Sequence, residues 1–146
     1  MTVLLAKNIS KTFYTPDPLL ILRSIDLAVQ PGESIAITGR SGEGKSTLLH
    51  ILGTLEAPSS GELWINELST STTPLPLLRN QQVGFIFQSC HLLEDSTVIN
   101  NVLMPAKIAR LPTHNKSSAY ERALCLLEAV GLTPRAHFLS KHLSGG

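Results

Sequence analysis

The chain has 146 residues, 42% of them hydrophobic, and a formal net charge of +1, which fits one soluble domain with an adequate core. Without a basic excess, and with 5% aromatic content, it lacks the electrostatic footprint and the stacking platforms of a nucleic-acid binder. Nothing approaches the ~20 consecutive apolar residues of a membrane span, and residues 1–7 hold only a four-residue apolar run, too short for a signal peptide or an anchor.

Cys90 and Cys125 are isolated thiols without C-x-x-C spacing, so a reducing compartment is the default. The expectation is a cytosolic chain, or one that meets a membrane only through partners.

In chain order, residues 3–9 read as an opening strand, followed by Lys11-Thr12-Phe13-Tyr14 and a loop marked by Pro16 and Pro18. Ile25, Leu27 and Val29 alternate in a second strand, closed by a turn at Pro31-Gly32. Residues 34–38 predict a third strand, which leads straight into Gly39-Arg40-Ser41-Gly42-Glu43-Gly44-Lys45-Ser46-Thr47. That run carries the phosphate-loop spacing G-x4-G-K-S, which average residue usage yields by chance in roughly one chain of this length in two hundred.

Chemistry accounts for each position of that loop. Gly39, Gly42 and Gly44 allow backbone that a Cβ would forbid. Successive amides and the start of a helix can then converge on phosphate oxygens. Lys45 supplies a mobile point charge for the outer phosphates, and the Ser46 hydroxyl can ligate magnesium. The competing reading is a glycine-rich strand-to-helix turn that binds nothing. Glu43 is the odd member: a carboxylate in an anion loop is expected to point outward to water.

Leu48, Leu49 and Leu52 continue a helix that Gly53 stops. Beyond the turn cluster at 57–61, Glu62-Leu63-Trp64-Ile65 reads as a strand, so the strands around this helix predict a small antiparallel layer. Residues 66–76 read as loop, 77–82 as a short helix and 83–87 as a compact strand ending at Gln88. Thr97 caps a helix through Val98, Val102 and Met104, which Pro105 kinks or interrupts and Pro112 ends. Tyr120, Ala123, Leu124, Leu127 and Val130 form an apolar stripe at helical spacing, with Gly131 just past its end. His137 and His142 lack a third ligand or an i, i+4 spacing, which argues against a zinc site. Arg79, Lys107 and Arg110 read as scattered, solvated charges.

Three features in order, the phosphate loop, Gln88 after an apolar strand, and Leu143-Ser144-Gly145-Gly146 beyond a helical stretch, resemble the nucleotide-binding subunit of ABC transporters. The resemblance runs over the whole chain. The stretches Gly84-Phe85-Ile86-Phe87-Gln88, His91-Leu92-Leu93 and Asn101-Val102-Leu103-Met104-Pro105 look most like the lipoprotein-releasing, LolD-type branch. MacB-type exporters and FtsE-type division ATPases share similar stretches. The fold implied is α/β: the N-terminal part of an ABC-type P-loop ATP-binding domain. Residues 1–88 would form its β layer and phosphate-loop core, and residues 89–146 its helical subdomain up to the signature motif.

The resemblance also implies roles. Phe13 stands where an aromatic stacks on adenine, with Tyr14 as the alternative; an ordinary packed aromatic is the competing reading. The loop from Gly39 to Thr47 would hold the phosphates of ATP, with Ser46 on Mg2+. Gln88 would contact the metal and the attacking water. Ser144, Gly145 and Gly146 would clamp the γ-phosphate held by an opposite subunit, which implies a head-to-tail homodimer. Integral membrane subunits and a place on the cytoplasmic face of the inner membrane follow from the same likeness.

Members of the family continue to an apolar strand ending in Asp-Glu and to a switch histidine, which serve the metal and the attacking water. Neither Leu92-Leu93-Glu94-Asp95 nor Leu126-Leu127-Glu128 substitutes for that strand. The expectation is therefore a truncated, frame-interrupted or partial member. It would bind nucleotide with doubtful hydrolysis and leave apolar strand edges uncovered. A non-catalytic nucleotide-binding remnant, and a soluble ABC-type protein of repair or translation, are the alternatives from other classes.

Overall fold

The computed structural model describes residues 2–14, 16–88 and 91–143, and the chain separates into two compact units, Met1–Phe85 and Ile86–Gly146. In the first, β1 (Leu4–Phe13), β2 (Leu19–Val29), β3 (Ser60–Ile65) and β4 (Leu68–Ser69) form an antiparallel sheet in the order β2-β1-β3-β4. Leu4 faces Val29 on one side and Ile65 on the other. The antiparallel layer read from the sequence is thus present, with longer strands. β1 runs on to Phe13 and β2 starts at Leu19, because Lys11, Thr12 and Phe13 pair with Leu22, Leu20 and Leu19.

Polar residues in mid-strand concealed that extension. Asn8 and Ser24 take positive φ (52° and 47°) at an irregularity in the ladder. Side chains fasten it: the Asn8 amide donates to Asp26 Oδ1 (2.8 Å), and the Ser24 amide donates to Ser10 Oγ (2.9 Å). On the other side of β1, Gly61 (φ +98°) lies so close to the Asn8 carbonyl that a Cβ would overlap it.

The helix α1 (Lys45–Leu52) lays Leu48, Ile51 and Leu52 on this sheet. They meet Ala6, Ile9, Leu22 and Leu63 in one core, with Ile9 fully buried. The expected loop at 66–76 contains β4 as well. Asn66 and Glu67 (φ 48° and 67°) make the two-residue turn that lets Leu68 pair with Ile65. The helix α2 (Leu75–Gln82) buries Leu78, and Arg79, far from being solvated, donates to the Thr54 carbonyl at 2.8 Å.

The expected strands at 34–38 and 83–87 are corrected: among the described residues neither belongs to a ladder. Their apolar patterns were sound, but a strand exists only through the neighbour that takes its backbone hydrogen bonds. Ile37 still leans on the core, whereas Ile35 is exposed.

In the second unit, α3 (Val98–Val102), α4 (Met104–Ile108) and α5 (Ser118–Ala129) enclose a separate core of Val98, Ile99, Leu103, Ala123, Leu127 and Ala136. Thr97 Oγ1 accepts from the Asn100 amide (3.3 Å), the cap expected from the sequence. The helix breaks at Leu103, and α4 stops at Ile108, before Pro112. Ser117 caps α5 through the Tyr120 amide. Val130 is no part of the buried stripe: it lies 66% exposed where the chain leaves the helix toward Gly131. No helix among the described residues is long and apolar enough to cross a membrane.

Candidate functional site

The strongest motif of the sequence lies where α1 begins. Gly39, Gly42 and Gly44 all take positive φ (150°, 85° and 86°). Gly44 is also the residue that precedes the helix, in a left-handed conformation, and it has no side chain to cap the first turn. The first amides of α1 therefore present the positive end of the helix uncapped by any side chain. Position 44 demands glycine for a second reason. A Cβ there would come within 2.6 Å of Ile21 Cγ2, so only hydrogen lets the loop lie down on β2.

A cavity of about 390 Å³ opens over this loop. Its walls are Ser41, Gly42, Gly44, Lys45, Ser46 and Thr47 on the loop side and Phe13 and Ile21 from the sheet. The structure thus brings Phe13, 41% exposed, together with six of the nine expected phosphate-loop residues. Tyr14, the alternative aromatic, is absent from the lining and 72% exposed. Ile21 was missed in the sequence, where nothing distinguishes it from other β2 apolar residues; only the ladder with β1 brings it to the loop.

Gly39, Arg40 and Glu43 sit in the loop but not on the cavity wall. Glu43 is exposed, and its carboxylate also folds back on the loop, which the sequence reading did not foresee: Oε2 accepts from the Arg40 amide at 2.7 Å. The side chain is long enough to close that ring over three residues, and a lone amide at a turn is the nearest donor. Lys45 Nζ donates to the Arg40 carbonyl at 2.6 Å. The loop thus satisfies part of its own charge, and a phosphate arriving there must exchange contacts with both groups.

Ser46 is exposed at the first turn of α1, where its hydroxyl is a hard oxygen donor of the kind magnesium accepts beside phosphate oxygens. Among the described residues, no three His, Cys, Asp or Glu side chains converge on a metal position. Gln88 is exposed and belongs to the second unit. Ser144, Gly145 and Gly146 lie outside the described residues. Leu143, just before them, packs on the second core, and Ser140 is held there by Asn101 Nδ2, which donates to its Oγ (2.7 Å), while that Oγ donates to the Ser96 carbonyl (2.9 Å).

Comparison with known proteins agrees with this geometry. The family pattern described as "ABC transporter" matches residues 22–146. The lipoprotein-releasing system ATP-binding protein LolD of Protochlamydia amoebophila is 54% identical over 144 residues, covering 99% of this chain and 63% of the relative. A second such protein, LolD 1 of Rhodopirellula baltica, is 45% identical over 148 residues, with the same two shares. Among solved structures, the dimeric post-hydrolysis state of the ATP-binding cassette MJ0796, bound to ADP and Pi, superposes with a TM-score of 0.84 at 30% identity. That match covers 97% of this chain and 63% of the cassette. The chain therefore spans a little under two thirds of the length of these relatives.

Proposed function

This chain belongs to the ABC transporter family, and from that membership we propose that it is an ATP-binding part of a transporter that releases lipoproteins from the inner membrane. The observation that carries the reading is the single cavity in which Phe13 faces the phosphate loop. A nucleotide needs a flat apolar partner at one end and converging cationic and N–H donors at the other. The names of the LolD relatives support the lipoprotein cargo.

In this reading the loop formed by Gly39, Arg40, Ser41, Gly42, Glu43, Gly44, Lys45, Ser46 and Thr47 surrounds the phosphates. Lys45 leaves the Arg40 carbonyl for the outer phosphates, a more strongly charged acceptor. Ser46 and Gln88 are the protein ligands proposed for Mg2+, which when bound neutralises phosphate charge. Hydrolysis coupled to transport is supported by the post-hydrolysis cassette among the structural neighbours, and a head-to-tail homodimer by that cassette's dimeric state. In such a dimer Ser144, Gly145 and Gly146 meet the γ-phosphate held by the opposite subunit. Integral membrane subunits and a station on the cytoplasmic face complete the proposal. Phosphoryl transfer is mostly positioning and charge stabilisation, so binding can be tested apart from turnover.

Calorimetric titration with magnesium-ATP is the test. The chain is expected to bind saturably, and Lys45→Ala, which removes a charge-assisted contact worth about 1.5–3 kcal/mol, to weaken binding at least about tenfold. Equal heats from the two proteins would overturn the reading. Co-purification with an integral membrane subunit tests the transporter assignment separately.

A further inference from the structure

Lys11 is the one charged side chain that the fold buries among the described residues, at 9% exposure. An ammonium taken out of water has to be neutralised and hydrogen-bonded. Its Nζ reaches the Glu56 carboxylate and the Ala57 carbonyl (2.7 Å), and it stands over the Phe13 ring, 5.0 Å from the centroid. These partners come from two places. Phe13 is two residues further along β1, on the same side of the strand. Glu56 and Ala57 lie just beyond the foot of α1, the helix whose head is the phosphate loop.

The attachment is reinforced beside Lys11. The Ser59 amide donates to the Ser10 carbonyl (2.8 Å), and the Thr12 amide donates to Ser59 Oγ (3.0 Å). The chain leaving α1 is thereby zipped to the end of β1 that carries the aromatic. For an ion pair serving stability alone, the ring would be irrelevant. Here the ring is half-exposed and forms a wall of the cavity over the loop. A cation on one face of an aromatic is attracted by its π-electrons and restrains its plane, which leaves the opposite face for a flat partner.

We propose that Lys11 is a positioning residue for the base. Held by Glu56 and Ala57, its ammonium clamps one face of Phe13 and so fixes the other face relative to the phosphate loop. The proposal rests on the nucleotide reading above, and its test separates the two. Lys11→Met keeps the length of the stem and removes the charge. The whole chain is titrated calorimetrically with magnesium-ATP and, separately, with magnesium tripolyphosphate, which offers phosphates without a base.

The expected result for Lys11→Met is a Kd for magnesium-ATP raised about three- to tenfold, the range a cation–π contact supplies, with tripolyphosphate binding unchanged. Lys11→Arg, which keeps the cation, restores the ratio of the two constants. Equal losses for both probes, or no loss for either, would overturn the assignment while leaving the nucleotide reading intact. If Lys11→Met fails to fold by circular dichroism, Glu56→Gln, at a side chain 41% exposed, decides by the same ratio, with an expected loss of about two- to threefold. An unmodified chain that binds neither probe would overturn both conclusions together.

Discussion

Glu43 shows how far a single side chain can set the character of an anion loop. Its carboxylate accepts from the Arg40 amide, so the chain carries its own anion where another is to be received. At the close range of this loop, like charges repel by about 1 kcal/mol even in bulk water. Glu43→Ser is therefore expected to tighten magnesium-ATP binding about three- to tenfold; titration showing unchanged or weaker affinity would count against this. The loop itself was legible in the sequence because glycines, a lysine and a serine at fixed offsets leave few other chemistries. The hydrogen bond of Glu43 was not, since a side chain with three rotatable bonds can turn to a donor of its own loop. Phe13 was preferred to Tyr14 only through the family resemblance, because residue type alone does not say which of two adjacent residues the strand turns toward the cavity.

At the scale of elements, the cap expected at Thr97 is present, and hydrophobic pattern located α1, α2, α3 and α5. It failed where structure depends on partners remote in sequence. The strand read over residues 3–9 stopped short of Phe13, because its continuation is polar and is held by Asn8, Ser10, Ser24 and Asp26 bonding one another. Residues 34–38 read as a strand although no ladder receives them. Gly61 belongs to the same irregular stretch, pressed against the Asn8 carbonyl at positive φ. Gly61→Ala must both strain its backbone and push β3 from β1, and it is expected to cost about 2–4 kcal/mol. A lowered urea midpoint checks this; an unchanged one would mean that β1 and β3 can part there without loss.

For the molecule as a whole, two cores divide the chain between them, and the family assignment and α/β cassette fold expected from sequence are both borne out. Independent cores predict independent responses. Thr97→Ala removes the cap of α3 and should cost about 1 kcal/mol, raising amide exchange through residues 98–129 while leaving residues 4–65 as they were. Uniform acceleration along the chain would instead reveal one cooperative body. Apolar side chains such as Ile35 and Ile86 stand exposed among the described residues.

The seat of Phe85 has a mechanical side. Its ring rests on Gly53 so closely that any Cβ there would occupy the same space, and Gly53 ends the helix whose first turn borders the phosphate loop. The last residue of the first unit is thus moored to the stern of that helix, three positions ahead of Gln88. A displacement of α1 along its axis would therefore act directly on the Phe85 ring.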